Sequence, residues 1–202
     1  MPTDTLRPNG DGTVTSWTSE AAAPIFDSID DYASGAHDSD TSFIAGPNNA
    51  DSSAFFNLTD TGASFDPAII TQVQCKIAYR KESAGVSGGA DTIALSVGMV
   101  QSDESTTLTD LVSVNTNAGT TYAETTVTLT NPNTGASKAT WDAGRLRIFQ
   151  DYTISGCADT TTKLRVTAVE VVITTTIATT ALQQKSFRFR AGDPTGVNAA
   201  FT

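Results

Sequence analysis

The stretch ITQVQCKIAYR, residues 70–80, places Val73, Cys75, Ile77 and Tyr79 on one side of an extended chain and Gln72, Gln74, Lys76 and Arg80 on the other. Successive side chains of a strand point to opposite faces, so this is a half-buried strand with its apolar side turned to a core. Residues 92–100 repeat the pattern, with Ile93, Leu95, Val97 and Met99 opposite Thr92, Ser96 and Gly98. Residues 123–130 set Val127 and Leu129 against Glu124, Thr126 and Thr128. Residues 146–152 and 163–176 form the strongest late strands. In the last of these the apolar set runs Leu164, Val166, Ala168 and then Val169, Val171, Ile173, so the phase slips by one residue between Ala168 and Val169. A β-bulge flips every later side chain and accounts for such a slip; burial on both faces accounts for it too.

Outward from these segments the signal weakens. Shorter strands are expected at residues 13–18, 26–29, 41–44 and 54–58. The chain holds 34 threonines, whose branched Cβ suits a pleated strand while the hydroxyl tolerates water. Turn signals separate the strands, among them Pro8-Asn9-Gly10-Asp11-Gly12, Gly46-Pro47-Asn48-Asn49 and the glycine-rich run 83–89. Helical periodicity is nearly absent, and Trp141-Asp142-Ala143-Gly144 holds at most one helical turn. The fold class expected is all-β: an antiparallel two-sheet sandwich of jelly-roll type, with extended N- and C-terminal arms. Val73, Ile77, Tyr79, Leu95, Val97, Val127, Leu129, Ile148 and Val171 are the expected core.

With 202 residues and 21.0 kDa the chain fits one domain. The expected divisions are 1–12, an N-terminal arm; 13–176, the sandwich; and 177–202, a C-terminal arm or edge strand. Twelve basic against 22 acidic side chains give a net charge of −10, which opposes nucleic acid over any broad face. The tail from residue 177 carries Lys185, Arg188 and Arg190 against Asp193, leaving −12 on the rest of the chain. A basic arm has an electrostatic reason to lie on a neighbouring acidic copy, and an edge strand with Phe187 and Phe189 packed at home is the equal alternative. No run reaches 18 apolar residues, and MPTDTLRPNG has no apolar core, so neither a membrane span nor a signal peptide is expected.

Candidate chemistry is sparse. His37 is the one histidine, and no G-x-S-x-G elbow accompanies it, so it reads as a loop residue rather than a catalytic base. Cys75 reads as a small core residue and Cys157 as a loop residue, with a disulfide between them the lesser reading. The carboxylates Asp27, Asp30, Asp31, Asp38 and Asp40 cluster without the spacing of a calcium loop; they read as a solvated acidic loop before a glycosidase pair or a calcium site. Trp17 and Trp141, with Tyr32, Tyr122 and Tyr152, could form a sugar platform, but the alternation around Trp17 favours the core. Asn57-Leu58-Thr59 is a glycosylation sequon by pattern only. The catalytic, cofactor and metal inventories are therefore expected to be empty, and the chain is expected not to be an enzyme.

The run Thr5-Leu6-Arg7-Pro8-Asn9-Gly10-Asp11-Gly12, with Trp17 soon after, resembles the opening of a group of tailed-phage and prophage proteins. The resemblance continues through the acidic stretch 27–31, Asp38-Ser39-Asp40-Thr41-Ser42-Phe43-Ile44, Phe56-Asn57-Leu58-Thr59-Asp60 and residues 69–80. It closes with residues 166–174 and Gln183-Gln184-Lys185-Ser186-Phe187-Arg188-Phe189-Arg190. It implies a jelly-roll virion protein, either a head decoration (cement) protein or a domain of a tail fibre. The small size points to decoration: binding to the outer surface of the major capsid protein shell and stabilising it, without nucleic acid, membrane or cofactor. Self-association is expected, as a trimer first and a dimer second. The alternative is a tail-fibre or receptor- and carbohydrate-binding virion module. The residues expected to meet a partner are Leu6, Arg7, Lys185, Phe187, Arg188, Phe189 and Arg190.

Overall fold

A computed structural model of the protein describes residues 1–19, 24–30, 32, 42–82, 92–153 and 162–176. Two antiparallel sheets face each other. Sheet A runs β3 (Thr18–Ser19), β4 (Ile44–Ala45), β11 (Leu164–Thr175), β6 (Ile70–Lys81), β9 (Ala123–Leu129), with β1 (Thr3–Leu6) also on β11. Sheet B runs β2 (Pro8–Asp11), β5 (Ser52–Leu58), β10 (Arg145–Thr153), β7 (Thr92–Val100), β8 (Val112–Asn115). From β4 to β11 the sheet orders are 4-11-6-9 and 5-10-7-8, the strand order of a jelly roll.

The core fills as the alternation requires. Val73, Cys75, Ile77 and Tyr79 of β6 meet Ile93, Leu95, Val97 and Met99 of β7 across the sandwich, all buried. Val171 and Ile148 join them; of the expected core, Val127 alone is partly buried, near the free edge of sheet A. Each fully buried aliphatic side chain contributes on the order of 1.5–3 kcal/mol. Trp17 and Trp141 lie in the core at 3% and 1% exposure, which leaves neither indole for a sugar platform. The Trp141 Nε1 donates to the Asn133 carbonyl at 3.1 Å. The turn that carries it is a short helix, α1 (Lys138–Asp142), begun three residues earlier than expected because the Ser137 side chain caps the Thr140 amide.

The phase slip in β11 is a bulge. Val166 pairs with Tyr79 and Ala168 with Ala78, so Thr167 is the extra residue, and its hydroxyl donates to the Ser42 carbonyl at 2.8 Å. Ala168 then faces outward, where Tyr32 covers it, so bulging and two-sided burial both operate at this point. The other long edge of β11 is shared in tandem: β4 at Arg165 and Val166, a bridge from Asp30 at Ala168, and β1 from Val171 to Thr174.

Three expectations are corrected. Residues 1–12 are not an arm. β1 lies on β11 in sheet A and β2 on β5 in sheet B, and Leu6 is 1% exposed in the core, so its side chain offers nothing to a partner. Residues 25–28 form a 3₁₀ turn rather than a strand, because Asp11 accepts the Ile25 and Phe26 amides at 3.0 and 2.8 Å and holds the chain in a tight coil. Of the strand expected over 13–18, only Thr18 lies in a strand, as the first residue of β3, while the Thr13 carbonyl accepts the Phe55 amide at 3.0 Å. The carboxylates Asp31, Asp38 and Asp40, together with His37, Cys157 and the whole tail 177–202 with Lys185, Phe187, Arg188, Phe189 and Arg190, lie outside the described residues.

Candidate binding face

Chemistry on a sandwich is presented by its two outer faces and its ends. On the outer face of sheet A the charged groups are largely matched by their neighbours. The Arg7 guanidinium reaches Glu170 at 3.2 Å, so the second N-terminal residue expected to meet a partner is bound within its own domain. Lys76 reaches Glu124 at 3.2 Å and lies 4.1 Å from the centre of the Tyr32 ring. The Tyr32 hydroxyl donates to Glu124 Oε2 at 2.9 Å while its ring packs on Ala78 and Ala168. Burial first, and then the hydrogen bond to the Glu124 carboxylate, push the Tyr32 hydroxyl well above its ordinary range. This tyrosine is a structural clamp. At one end of the same sheet Glu82 accepts from Arg165 at 2.8 Å and pairs with Lys163 at 3.2 Å, and Arg165 stacks 4.0 Å from the Phe43 ring centre. Burial alone would raise the Glu82 carboxyl, but the two cations outweigh it and hold the group below its ordinary value.

The outer face of sheet B is built differently. β5 and β10 turn Ala54, Phe56, Leu58, Leu146 and Ile148 inward, which leaves Ser53, Phe55, Arg147 and Phe149 outward. Register makes these four a block: Arg147 stands opposite Phe55 and Phe149 opposite Ser53. On the other flank β7 places Gly98 beside Arg147 and Ser96 beside Phe149. The Arg147 guanidinium carbon lies 5.2 Å from the Phe149 ring centre and 5.9 Å from that of Phe55, within the range where a cation is drawn to an aromatic face. Its Nε donates to Ser53 Oγ at 2.9 Å. Among the described residues no carboxylate pairs with Arg147, and its two Nη groups donate to nothing.

A low wall borders the block. An added Cβ on Gly98 would lie 2.8 Å from the Asp110 carbonyl oxygen, so the backbone of Asp110 and Leu111 presses against the glycine. Leu111 is 40% exposed there; Met1 is the other large apolar side chain exposed among the described residues. The Asp110 carboxylate accepts from the Thr130 hydroxyl and the Asn131 amide. Arg145, one step along the block, pairs with Glu104, which also accepts the Thr13 amide at 2.9 Å. Beneath the face, Gln150 turns inward and satisfies three backbone groups: its Nε2 donates to the Pro47 and Ala50 carbonyls and its Oε1 accepts the Leu164 amide, each at 2.8 Å. That pins the β4–β5 connection and the start of β11 to β10, and makes a rigid floor for the block. The site thus combines two aromatic faces, one cation with open donors and serine hydroxyls on a fixed sheet, a set suited to holding a polar ligand with apolar faces.

Sequence reading missed this block, although a signal was present. Phe55 and Phe149 are each out of phase with the apolar residues of their strands, and an aromatic on the wet side of a strand has no core to enter. Cys75 is a free, fully buried thiol, which burial and then Glu170 push far above the ordinary range. No cluster of three or more metal-ligating side chains occurs among the described residues, and no helix there is long and apolar enough to cross a membrane.

No protein-family model matches the chain, and no curated protein matches it. Among solved structures it is similar to the enzymatically active domain of tailspike protein 4 of bacteriophage CBA120, with 13% identity and a TM-score of 0.40, over 84% of this chain and 19% of that one. The chain therefore spans about a fifth of that protein's length. The expectation that the chain is not an enzyme is withdrawn, because that neighbour is titled an enzymatically active domain. At this level of similarity the comparison assigns the chain no activity.

Proposed function

We propose that this protein is a phage virion module of the tail-fibre or receptor-binding kind, and that the outer face of sheet B contacts saccharide on the host surface. The observation that carries the reading is the Ser53–Phe55–Arg147–Phe149 block. Phenyl faces stack on the C–H faces of pyranose rings, while serine hydroxyls and guanidinium N–H groups meet sugar hydroxyls. The resemblance of the chain's opening and strand segments to tailed-phage proteins supplies the virion setting. Capsid decoration finds less support in the geometry. A stable protein interface rests on an apolar centre of buried anchors, and among the described residues Leu111 with Met1 is a small exposed apolar surface for that purpose. The tandem N-terminal strands, moreover, are spent on the chain's own sheets.

The test is binding of the full chain, and of Phe149→Ala, to purified capsular and O-antigen polysaccharides of candidate hosts and to empty phage heads. Saccharide binding that the substitution abolishes supports the reading. Saturable binding to heads with no saccharide binding would replace it with decoration.

A further inference from the structure

We infer that the ligand of the sheet B face is an acidic saccharide whose carboxylate is taken by Arg147; this deepens the reading above and rests on it. The chain carries a net charge of −10, so an unpaired cation on an outer face is a local exception to the field around it. Among the described residues Arg7, Arg145 and Arg165 each have a carboxylate partner, whereas Arg147 has none. Its Nε is already committed to Ser53 Oγ at 2.9 Å, which fixes the plane of the group and leaves Nη1 and Nη2 as a parallel pair of donors. That pair matches the two oxygens of a carboxylate, and a planar guanidinium holds such a group bidentately where an ammonium would hold it as a point charge.

The surroundings set the size and the sign of the ligand. Phe55 and Phe149 flank the cation at 5.9 and 5.2 Å, so a ring seated on either phenyl face brings a substituent of that ring over Arg147. Gly98, pressed by the Asp110 and Leu111 backbone, puts no side chain beside the guanidinium on the third side. Among the described residues two carboxylates lie nearby on this face: Asp110, on the wall beside Gly98, which accepts from Thr130 and Asn131, and, along the strand, Asp151, four residues from Arg147. At about 3.3 Å per residue Asp151 stands roughly 13 Å away, beyond the screening length of about 8 Å at physiological salt. It does not oppose an anion at Arg147, but it does penalise a second anionic group beyond Phe149. The ligand predicted is therefore a chain of sugar rings carrying carboxylates singly, of the uronic-acid type, rather than a densely charged phosphate polymer.

The experiment prints bacterial capsular and O-antigen polysaccharides, neutral and uronate-containing, each native and after chemical reduction of its carboxyl groups. The full chain, Arg147→Gln, Arg147→Lys and Phe149→Ala are applied at low and high salt. Expected is binding confined to native carboxylated polymers, lost on carboxyl reduction and weakened by salt. Arg147→Gln should lower the affinity roughly 10- to 100-fold and Arg147→Lys should restore only part of it. Equal binding to native and reduced polymers, or unchanged affinity in Arg147→Gln, overturns the inference and leaves the saccharide reading standing. Binding to no printed polymer overturns both. Circular dichroism of each variant confirms that the fold is kept.

Discussion

On the outer face of sheet A, Arg7 and Lys76 reach Glu170 and Glu124 at 3.2 Å, and a tyrosine lies over the sheet. On the outer face of sheet B, Arg147 is flanked by two phenyl rings, and among the described residues no carboxylate pairs with it. Both faces are made by strands of one sandwich and use similar residue types. The difference lies in whether the charges close on one another. A compensated, covered face contributes to holding the chain together; an uncompensated one leaves interaction capacity for something outside it. The contrast separates side chains that stabilise the fold from side chains free to act, and it can be broken at four depths.

The deepest test is the core that both faces stand on. Val97 is fully buried, paired with Ile148 on one side and Val112 on the other. Val97→Asp places a carboxylate where no partner exists, a cost of several kcal/mol, comparable to the whole stability of a domain. Expected is insoluble or unfolded protein by circular dichroism. A soluble variant with an unchanged Tm would mean that sheet B is in another register.

The next test concerns sheet A alone. Tyr32→Ala removes an aromatic side chain that is 5% exposed, together with its hydrogen bond to Glu124. The expected loss is about 2–4 kcal/mol, read by urea denaturation, with saccharide binding by the surviving folded fraction unchanged. Tyr32→Phe, which keeps the ring, should lose only about 1 kcal/mol. If Tyr32→Ala left stability intact but abolished binding, the functional face would be sheet A.

How far the comparison could be read from the sequence depends on how local its causes are. β7 was expected over 92–100 and lies at Thr92–Val100, because alternation in a long central strand is written in consecutive residues. The bulge in β11 was visible for the same reason, to within one residue. The jelly-roll sandwich was expected, but the sealing of β11 by β1, Asp30 and β4 depends on partners more than a hundred residues apart, and four-residue strands such as Thr-Asp-Thr-Leu carry no alternation of their own. The turn at residues 25–28 depends on Asp11, fourteen residues upstream, and looked like a strand because Phe26 and Ile29 are good strand residues. The binding block was half legible. The off-phase Phe55 and Phe149 stood in the text, but their adjacency came only with the register of β5 on β10.

A third test uses pH to ask which face stores electrostatic stability. The Glu82 carboxyl is held below its ordinary value of 4.5 by Lys163 and Arg165 against the opposing effect of burial. A carboxyl with a depressed pKa stabilises the fold fully above its unfolded value, and that contribution is lost as pH falls through the folded one. The Tm of the protein should therefore fall as pH drops below about 4.5, and Glu82→Gln should show a shallower fall over the same window. Some slope remains, since Glu104 and Asp142 are depressed as well. Arg147→Gln should leave the slope as it is, because no carboxylate pairs with Arg147 among the described residues. A slope that changed with Arg147→Gln and not with Glu82→Gln would reverse the assignment of the two faces.

The smallest expected effect on stability falls on Phe149. Its ring is half-buried on the outer face of sheet B, with Ser53 and Ser96 as its lateral neighbours, so its removal opens no cavity. What is lost is the partial shelter of one ring and an attraction to Arg147 of about 0.5–1 kcal/mol. Phe149→Ala should accordingly shift the midpoint of denaturation by about 1 kcal/mol or less, within the ordinary range for surface substitutions. On the binding side the same ring is one of two stacking surfaces, and removing it should cost saccharide affinity out of proportion to stability. A structural phenylalanine would show the reverse, a large drop in stability and binding weakened only as far as the folded fraction falls. The ratio of the two losses in Phe149→Ala, set beside the opposite ratio in Tyr32→Ala, decides whether the two faces of this sandwich have different jobs.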